Sequence, residues 1–322
     1  MVKLYQNIDM DGVQVQNENR KDSQFWNEGK FNNFVKPHLP ENATDMTFVE
    51  MGSNAGMFLK MAIDHGFKNA VGFEKDKTPV RIGNQYRDEI GYNYKLFKHT
   101  LGGQFGDPGT FNIDKVPVSD VTLMSTFHYY IDINSWLKYI HRLKYKTKRV
   151  VIISRTVRFR HWKALSDIGS VRKYFKNWKE NKYVPQLSEE IKKVDSSPRN
   201  IWSISFNSPL ERIAIEDIKT ESEDDSMYIA IQKLAEEINQ GDIKDIQDTD
   251  YYKAWIKRKQ GRWPIKFTNN FVTNKYNMMM SIKDNGLMDP LIVGKNNKLY
   301  DGGHRLAVMK AFGYKSVIVQ WV

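Results

Sequence analysis

Residues 47–157 alternate between two hydrophobic patterns, one typical of strands and one typical of helices. Five short runs are apolar and rich in β-branched or aromatic residues, and they predict buried strands at 47–51, 69–76, 94–100, 118–127 and 149–157. Apolar residues at helical spacing follow three of these runs and predict helices at 54–64, 78–91 and 132–143. Strands that alternate with helices form a mostly parallel sheet covered on both faces, so we expect an α/β fold here.

The pattern changes after residue 200. Residues 201–216 alternate apolar and polar side chains on both sides of an Asn-Ser-Pro turn, which predicts a hairpin. The acidic stretch "DIKTESEDDS", residues 217–226, predicts a linker. Beyond it, a helical stripe begins at Met227, and the pattern ends as helix, strand, turn, glycine-rich elbow, helix and strand. We therefore expect two domains, 1–216 and 227–322, with a basic insertion at 158–198 after the core of the first.

Composition excludes several kinds of site. The 322 residues include no cysteine, which rules out disulfides, thiolate metal sites and cysteine nucleophiles. The seven histidines show no paired metal-ligand spacing, so we expect no metal centre. The N-terminus lacks the apolar core of a signal peptide, and no apolar run is long enough to span a bilayer. These features predict a cytoplasmic protein without a membrane partner.

The positive charge is concentrated in one part of the chain. The net charge is +11, and residues 142–193, here called the basic block, hold sixteen Lys and Arg against four Asp and Glu. This block predicts a surface for an anionic partner, either nucleic acid or an anionic small molecule. The alternative is an amphipathic helix whose apolar residues face the core, because several of them fall at helical spacing: Trp162, Leu165, Ile168, Val171 and Phe175.

The first strand ends in a glycine loop, "VEMGSNAGMF". A Walker loop requires Gly-Lys-Ser/Thr, and a dinucleotide loop requires G-x-G-x-x-G; neither is present. Gly52 and Gly56 are instead four residues apart, and Glu50 precedes the first by two. A carboxylate at this position would repel a phosphate but would attract a cationic amine or sulfonium. The pattern therefore favours S-adenosylmethionine, a nucleoside that has no phosphate and carries positive charge.

A second carboxylate, Glu74, ends the next strand, where an acidic side chain can accept hydrogen bonds from ribose hydroxyls. With "VEMGSNAGMF" and "VGFEKD" in the first and second motifs, residues 47–157 resemble the Rossmann-like class I S-adenosylmethionine-dependent methyltransferases. The resemblance implies cofactor contacts from a set of loop and strand-end residues: Glu50, Gly52, Asn54, Gly56 and Glu74. The alternative is a Rossmann-like turn with another ligand or none.

The acceptor side of such an enzyme follows the fourth strand, here "MSTFHYYID". Methyltransferases that modify DNA amino groups carry Asn/Asp-Pro-Pro-aromatic there, and this chain does not, so we disfavour that activity. His128 is the first candidate for a general base, followed by Tyr129 and Tyr130, although His128 could equally pack beneath the pocket. We expect a small-molecule or glycan-type acceptor. The rival expectation is RNA of the tRNA type, bound through the basic block.

The segments "NGLMDPLIV" and "LYDGGHRLAVMK" resemble the N-terminal domain of ParB and its sulfiredoxin-like relatives. The resemblance implies a second, smaller α+β domain of ParB type, with Gly302, Gly303, His304 and Arg305 as phosphate contacts and ATP or CTP as candidate ligands. Sulfiredoxin chemistry requires a cysteine where Gly303 stands, so that activity is excluded. Free serine kinases of the same superfamily have a similar Asp-Gly-x-His-Arg elbow, so nucleotide-dependent phosphoryl transfer is one alternative. The others are a module that supports only folding or dimerisation, and a non-catalytic nucleotide-binding or DNA-associated protein.

Overall fold

The computed structural model describes residues 2–4, 6, 8, 10–15, 23–99, 113–125, 142–155, 186–194, 197–205, 210–220, 226–241, 246–259 and 265–322. The chain divides into two compact units, Met1–Ser208 and Pro209–Val322. Each unit contains its own main sheet, and we describe them separately.

Two short parallel strands, β1 (Val2–Leu4) and β2 (Val13–Val15), precede the main, seven-stranded sheet of the first unit. Its strands are β3 (Thr47–Met51), β4 (Asn69–Glu74), β5 (Lys95–Lys98), β6 (Ser119–Ser125), β7 (Thr147–Arg155), β8 (Gln186–Val194) and β9 (Ser197–Ser205), in the spatial order β5-β4-β3-β6-β7-β9-β8. The strands β3 to β7 run parallel to their neighbours in that group, and β9 is antiparallel to both β7 and β8. Counted from β3, the parallel strands follow the order 3-2-1-4-5 of a doubly wound sheet. The predicted α/β fold is confirmed.

The described helices of the first unit lie before β3 and between the parallel strands of the sheet. Helix α1 (Ser23–Lys30) continues as a wide helical turn, Phe31–Val35, and a tight one, Lys36–His38. Helix α2 (Met57–Asp64) connects β3 to β4, and α3 (Lys77–Ile90) connects β4 to β5. The predicted helix at 132–143 lies, apart from its last two residues, outside the described part of the chain.

The core of the first unit joins the N-terminal turns to the sheet. Phe34, Phe48 and Leu59 are each at most 1% exposed and belong to one apolar cluster with residues of α2, β4 and β6. Burial of each such side chain stabilises the fold by about 1.5–3 kcal/mol. A smaller cluster joins Leu4 and Ile8 of the N-terminal segment to Ala55 and Ile82. The residues before β3 therefore pack directly on the glycine loop.

The predicted hairpin at 201–216 is wrong. The hairpin of the first unit is β8 with β9, and β8 lies inside the region predicted as the basic insertion, 158–198. Strand β10 (Leu210–Ala214) pairs instead with the last strand of the chain in the sheet of the second unit. The alternating pattern identified both strands correctly, but period-two alternation does not specify a partner, which is set by packing between residues far apart in sequence.

The second unit contains a four-stranded sheet and four helices in its described part. After β10 come α4 (Ser226–Gln240), α5 (Asp250–Lys259), α6 (Ile265–Asn285), β11 (Leu291–Gly294), β12 (Lys298–Asp301), α7 (Gly303–Ala311) and β13 (Ser316–Trp321). The sheet order is β10-β13-β11-β12. The predicted succession of helix, strand, turn, elbow, helix and strand is confirmed.

The predicted linker, 217–226, is partly wrong. Ile218 is 4% exposed, and the backbone of Lys219 exchanges hydrogen bonds with Asn297 and Leu299 beside β12. The start of the acidic stretch thus belongs to the second unit, because an apolar side chain within it is buried. Residues 221–225 lie outside the described part. In the part of the chain that the structure describes, no helix has the length and apolar character needed to cross a membrane.

Candidate cofactor site

The glycine loop between β3 and α2 has an unusual backbone. Gly52, Asn54 and Gly56 have φ angles of 73°, 49° and 84°. Glycine adopts this left-handed region without cost, and asparagine tolerates it better than most residues. The spacing Gly-x-Asn-x-Gly therefore allows the chain to leave a buried strand and start a helix within five residues.

Neighbouring elements fix the loop in place. The N–H groups of Gly52 and Ser53 both donate to the carbonyl oxygen of Phe73 on β4, at 2.8 and 3.1 Å. A Cβ atom on Gly72 would lie 2.6 Å from Oγ of Ser53, and one on Gly83 of α3 would lie 2.4 Å from the carbonyl oxygen of Ala55. These two glycines, which the sequence analysis missed, let β4 and α3 approach the loop closely.

The loop lies at the point where the sheet changes direction. Strand β3 has β4 on one side and β6 on the other, and the chain leaves β3 toward β4 but returns later to form β6. In open α/β sheets the ligand crevice lies at the carboxyl ends of the strands at such a point. Glu50 and Glu74 are at these ends, as the sequence predicted.

Glu74 is tied to the loop by two hydrogen bonds. It is 9% exposed, its Oε2 accepts from the N–H of Asn54 at 3.0 Å, and its Oε1 accepts from the N–H of Asp76 at 3.1 Å. Each carboxylate oxygen has a further lone pair available to a ligand hydroxyl. Glu74 therefore both orders the loop and retains acceptor capacity.

Glu50 has a very different environment. It is 1% exposed, and its Oε2 has no hydrogen-bond partner among the described residues. Burial raises the pKa of its carboxyl well above the usual value; the positive charge of Lys30 opposes this shift and the negative charge of Glu74 adds to it. Oγ of Ser53 and Oδ1 of Asn54 are likewise buried without a partner in the described part. We call Glu50 Oε2, Ser53 Oγ and Asn54 Oδ1 the open acceptors.

Two side chains from the N-terminal segment complete the surroundings of the loop. Oε1 of Gln6 accepts from the N–H of Met57, the first residue of α2, at 3.0 Å. Nζ of Lys30 lies 5.5 Å from the ring centroid of Phe58, and the ring of Phe31 lies 5.8 Å from the same ring. Sequence analysis missed Gln6 and Lys30 because both lie more than twenty residues before the loop and belong to no recognisable motif.

The predicted acceptor residues His128, Tyr129 and Tyr130 lie outside the described residues, as does 156–185 of the basic block. In the described part of the block, Lys144 and Lys146 are 1% and 7% exposed. Nη1 of Arg149 donates to the carbonyl oxygen of His38 at 2.6 Å. Lys144 and Lys146 therefore belong to the interior of the unit, whereas Arg149 is half-buried and Arg142 is exposed.

The elbow of the second unit begins at Gly302, whose φ angle of 104° precedes α7. Gly302 and Gly303 line a surface pocket together with Lys298 and Asp301. Arg305 faces the elbow itself: its Nη1 donates to the carbonyl oxygens of residues 289 and 290, both at 2.9 Å, and its Nη2 donates to Asp301 at 2.6 Å.

His304 is half-buried in the first turn of α7. The structure thus brings all four predicted residues of the elbow together, and Arg305 has a structural role there. Among the described residues, no group of three or more His, Asp or Glu side chains could hold a metal ion.

The geometry defines a doubly wound α/β domain whose glycine loop is flanked by two carboxylates, one of which has an oxygen without a hydrogen-bond partner in the described structure. No protein-family model matches the chain, and no curated protein does.

Solved structures similar to the chain include a SAM-dependent methyltransferase from Aquifex aeolicus, at 13% identity and a TM-score of 0.40, covering 57% of this chain and 97% of that one. Magnesium protoporphyrin IX methyltransferase from Synechocystis, with bound SAM, is 10% identical with a TM-score of 0.42, and the match covers 62% of this chain and 87% of that one. The N-methyltransferase NodS from Bradyrhizobium japonicum is 12% identical with a TM-score of 0.42, covering 57% and 98%. The function proposed below rests on the geometry of the loop.

Proposed function

We propose that this chain is an S-adenosylmethionine-dependent methyltransferase. The observation that carries the proposal is the buried carboxylate of Glu50, whose Oε2 has no partner among the described atoms. A phosphate placed there would meet like charge on Glu50 and Glu74. A cationic ligand would instead relieve the unfavourable burial of Glu50, because an opposite charge favours the ionised carboxylate.

The residues of the loop suit the separate parts of this cofactor. Glu50 and Asn54 can accept hydrogen bonds from its ammonium group, and Glu74 can accept from the ribose hydroxyls with the lone pairs that its two backbone bonds leave. Gly52 and Gly56 present no side chain to a ligand that lies against the turn. The cofactor supplies the methyl group, and the contribution of the chain is to hold donor and acceptor aligned for displacement.

Calorimetric titration tests this proposal. The wild-type protein should bind S-adenosylmethionine with micromolar affinity, and Glu50→Gln and Glu74→Ala should each weaken binding at least tenfold. The same protein should be titrated with ATP and CTP. Failure of the wild type to bind S-adenosylmethionine, with binding of a nucleoside triphosphate instead, would refute the proposal.

For the acceptor we propose a small or glycan-type molecule, with His128 as general base and Tyr129 and Tyr130 beside it. Two buried lysines, Lys144 and Lys146, reduce the accessible charge of the basic block and support this choice over RNA. His128→Ala should lower the single-turnover methylation rate without weakening cofactor binding. If RNA is the acceptor, its binding should weaken steeply as salt rises, with a slope that reflects several phosphate contacts.

A second candidate function belongs to the elbow of the second unit. Burial, and then the positive charge of Arg305, lower the pKa of Lys275, although Asp301 opposes them. Arg305 is paired with Asp301 at 2.6 Å, so Lys275 is the cation that we propose attracts an anionic ligand, ATP or CTP, to the start of α7 in a ParB-like module. Lys275→Met should abolish nucleotide binding and leave S-adenosylmethionine binding unchanged. A protein that binds nucleotide but no S-adenosylmethionine would instead be a non-catalytic, regulatory or DNA-associated protein.

A further inference from the structure

Helix α1 and the glycine loop carry complementary polar groups. On α1, Asn27 and Lys30 are three residues apart and therefore lie on the same face of the helix. The other side consists of the open acceptors, which lie at the end of β3 and in the loop that follows it. The two sides are adjacent, because Nζ of Lys30 and the ring of Phe31 both lie within 6 Å of the ring centroid of Phe58 in the first turn of α2.

The α1 side provides hydrogen-bond donors. Asn27 is 4% exposed, and its Nδ2 donates to no acceptor within the described structure. Lys30 is half-buried, and its positive charge acts on Glu50. An amide donor beside a cation suits a carboxylate, since hydrogen bonds between charged groups are about twice as strong as neutral ones.

The two sides together select for a ligand with both charges. An isolated phosphate would suit Lys30 but would be repelled by Glu50, and a simple amine would suit Glu50 but would be repelled by Lys30. A zwitterion satisfies both groups at once, and each side rejects the singly charged ligand that the other would accept.

We infer that Asn27, Lys30 and Glu50 bind a free α-amino acid group: Lys30 and Asn27 donate to its carboxylate, and Glu50 accepts from its ammonium. This inference rests on the proposed function, because the amino-acid end of S-adenosylmethionine is such a zwitterion. It gives α1 a direct binding role, although α1 lies outside the glycine-loop and strand-end motifs.

Three ligands separate the contributions of the two charges. S-Adenosylmethionine carries both, its decarboxylated form keeps the ammonium without the carboxylate, and 5′-methylthioadenosine lacks the amino-acid end entirely. Each should be titrated into the wild type, Lys30→Met and Lys36→Met. The last variant is the matched control, because Lys36 is an exposed lysine six residues further along the same segment.

We expect Lys30→Met to weaken S-adenosylmethionine binding about 10- to 100-fold, the range expected when a charged hydrogen bond is lost. The decarboxylated form should bind Lys30→Met at least as tightly as it binds the wild type, because Lys30 repels its ammonium. Binding of 5′-methylthioadenosine should change by less than about twofold, as should all binding to Lys36→Met. The wild type itself should bind S-adenosylmethionine about tenfold or more tightly than the decarboxylated form, and this comparison needs no variant that must fold.

Other outcomes overturn the inference. Equal weakening of all three ligands would mean that Lys30 only supports the loop, and loss of both ammonium-bearing ligands would mean that it acts through Glu50. A wild type that binds S-adenosylmethionine and its decarboxylated form equally refutes the inference alone. A wild type that binds neither refutes the proposed function as well.

Discussion

Replacing Glu50 with glutamine should stabilise the protein while weakening cofactor binding at the proposed site. The carboxylate is 1% exposed, and its Oε2 has no partner in the described structure, so the charged form is held in an unfavourable environment. Lys30 provides partial compensation, but it is half-buried and can be hydrated when the charge of Glu50 is removed. Glutamine has nearly the same shape and no charge, so the substitution removes the cost without leaving a cavity.

The size of the effect follows from the desolvation of the ionised carboxylate, which glutamine lacks. Allowing for the amide that stays buried without a partner, the net gain is about 1–3 kcal/mol. For a unit of this length, each kcal/mol corresponds to roughly 2–4 °C in melting temperature. Glu50→Gln should therefore melt about 2–12 °C above the wild type at neutral pH. The raised folded-state pKa of Glu50 means that folding takes up a proton, so the wild type loses stability as pH rises through that pKa. The difference between variant and wild type should accordingly shrink as pH falls toward 4.5, the ordinary value for this carboxyl.

Glu74→Gln is the matched control for this experiment. It makes the same chemical change at the next strand end, but both oxygens of Glu74 accept backbone hydrogen bonds. In glutamine the amide nitrogen that replaces one oxygen cannot accept its bond. This variant should lose about 1–3 kcal/mol, since a buried N–H is left without its partner. Thermal melts of the three proteins from pH 4.5 to pH 8 measure both effects. If Glu50→Gln melts below the wild type at neutral pH, Glu50 is a structural partner of Lys30 and the reasoning fails.

Three further outcomes are expected. Affinity for S-adenosylmethionine should rise as pH rises through the raised pKa of Glu50, because the ionised carboxylate binds the cation. Calorimetry in two buffers should detect proton release on binding, and Glu50→Gln should remove the pH dependence. A wild type whose affinity does not depend on pH would contradict this expectation. Gly72→Ala should lower the free energy of unfolding, measured by denaturant titration, by about 1–3 kcal/mol and weaken cofactor binding, because the added Cβ would meet Ser53. Gly303→Ala is the control: no described atom lies within 4 Å of its added Cβ, so both quantities should change little. Arg305→Met should destabilise the second unit by about 2–4 kcal/mol even without any ligand, since three oxygens lose their charged donor. An unchanged melting temperature would mean that Arg305 only binds ligand.

The parts of the fold that the sequence predicts are those encoded by local patterns. The first strand of the sheet occupies residues 47–51 as predicted, because a continuous apolar run between polar residues has one stable solution in a buried parallel sheet. The glycine loop was also predictable, since Gly52 and Gly56 stand where the backbone needs left-handed φ angles.

The parts that could not be predicted depend on residues distant in sequence. The partner of strand β10 is a strand more than a hundred residues later, and no alternation pattern encodes that choice. The two glycines that let β4 and α3 approach the loop, Gly72 and Gly83, lie within ordinary strand and helix patterns, and only the three-dimensional approach of Ser53 and Ala55 explains them. For the same reason the difference between Glu50 and Glu74 could not be foreseen.

The loop discriminates against phosphate in two independent ways. Phosphate-binding loops direct the free N–H groups at the start of a helix toward the anion, but here the first N–H of α2 already donates to the neutral side chain of Gln6. The strand ends on either side carry Glu50 and Glu74, so an anion would meet two carboxylates in addition to a helix end that is partly occupied. A nucleoside that bears positive charge and no phosphate avoids both penalties. In the proposed site, the segment before β3 therefore contributes to ligand choice together with the glycine loop. Variants of Gln6 and Lys30 test this proposal as sharply as variants of the glycines do.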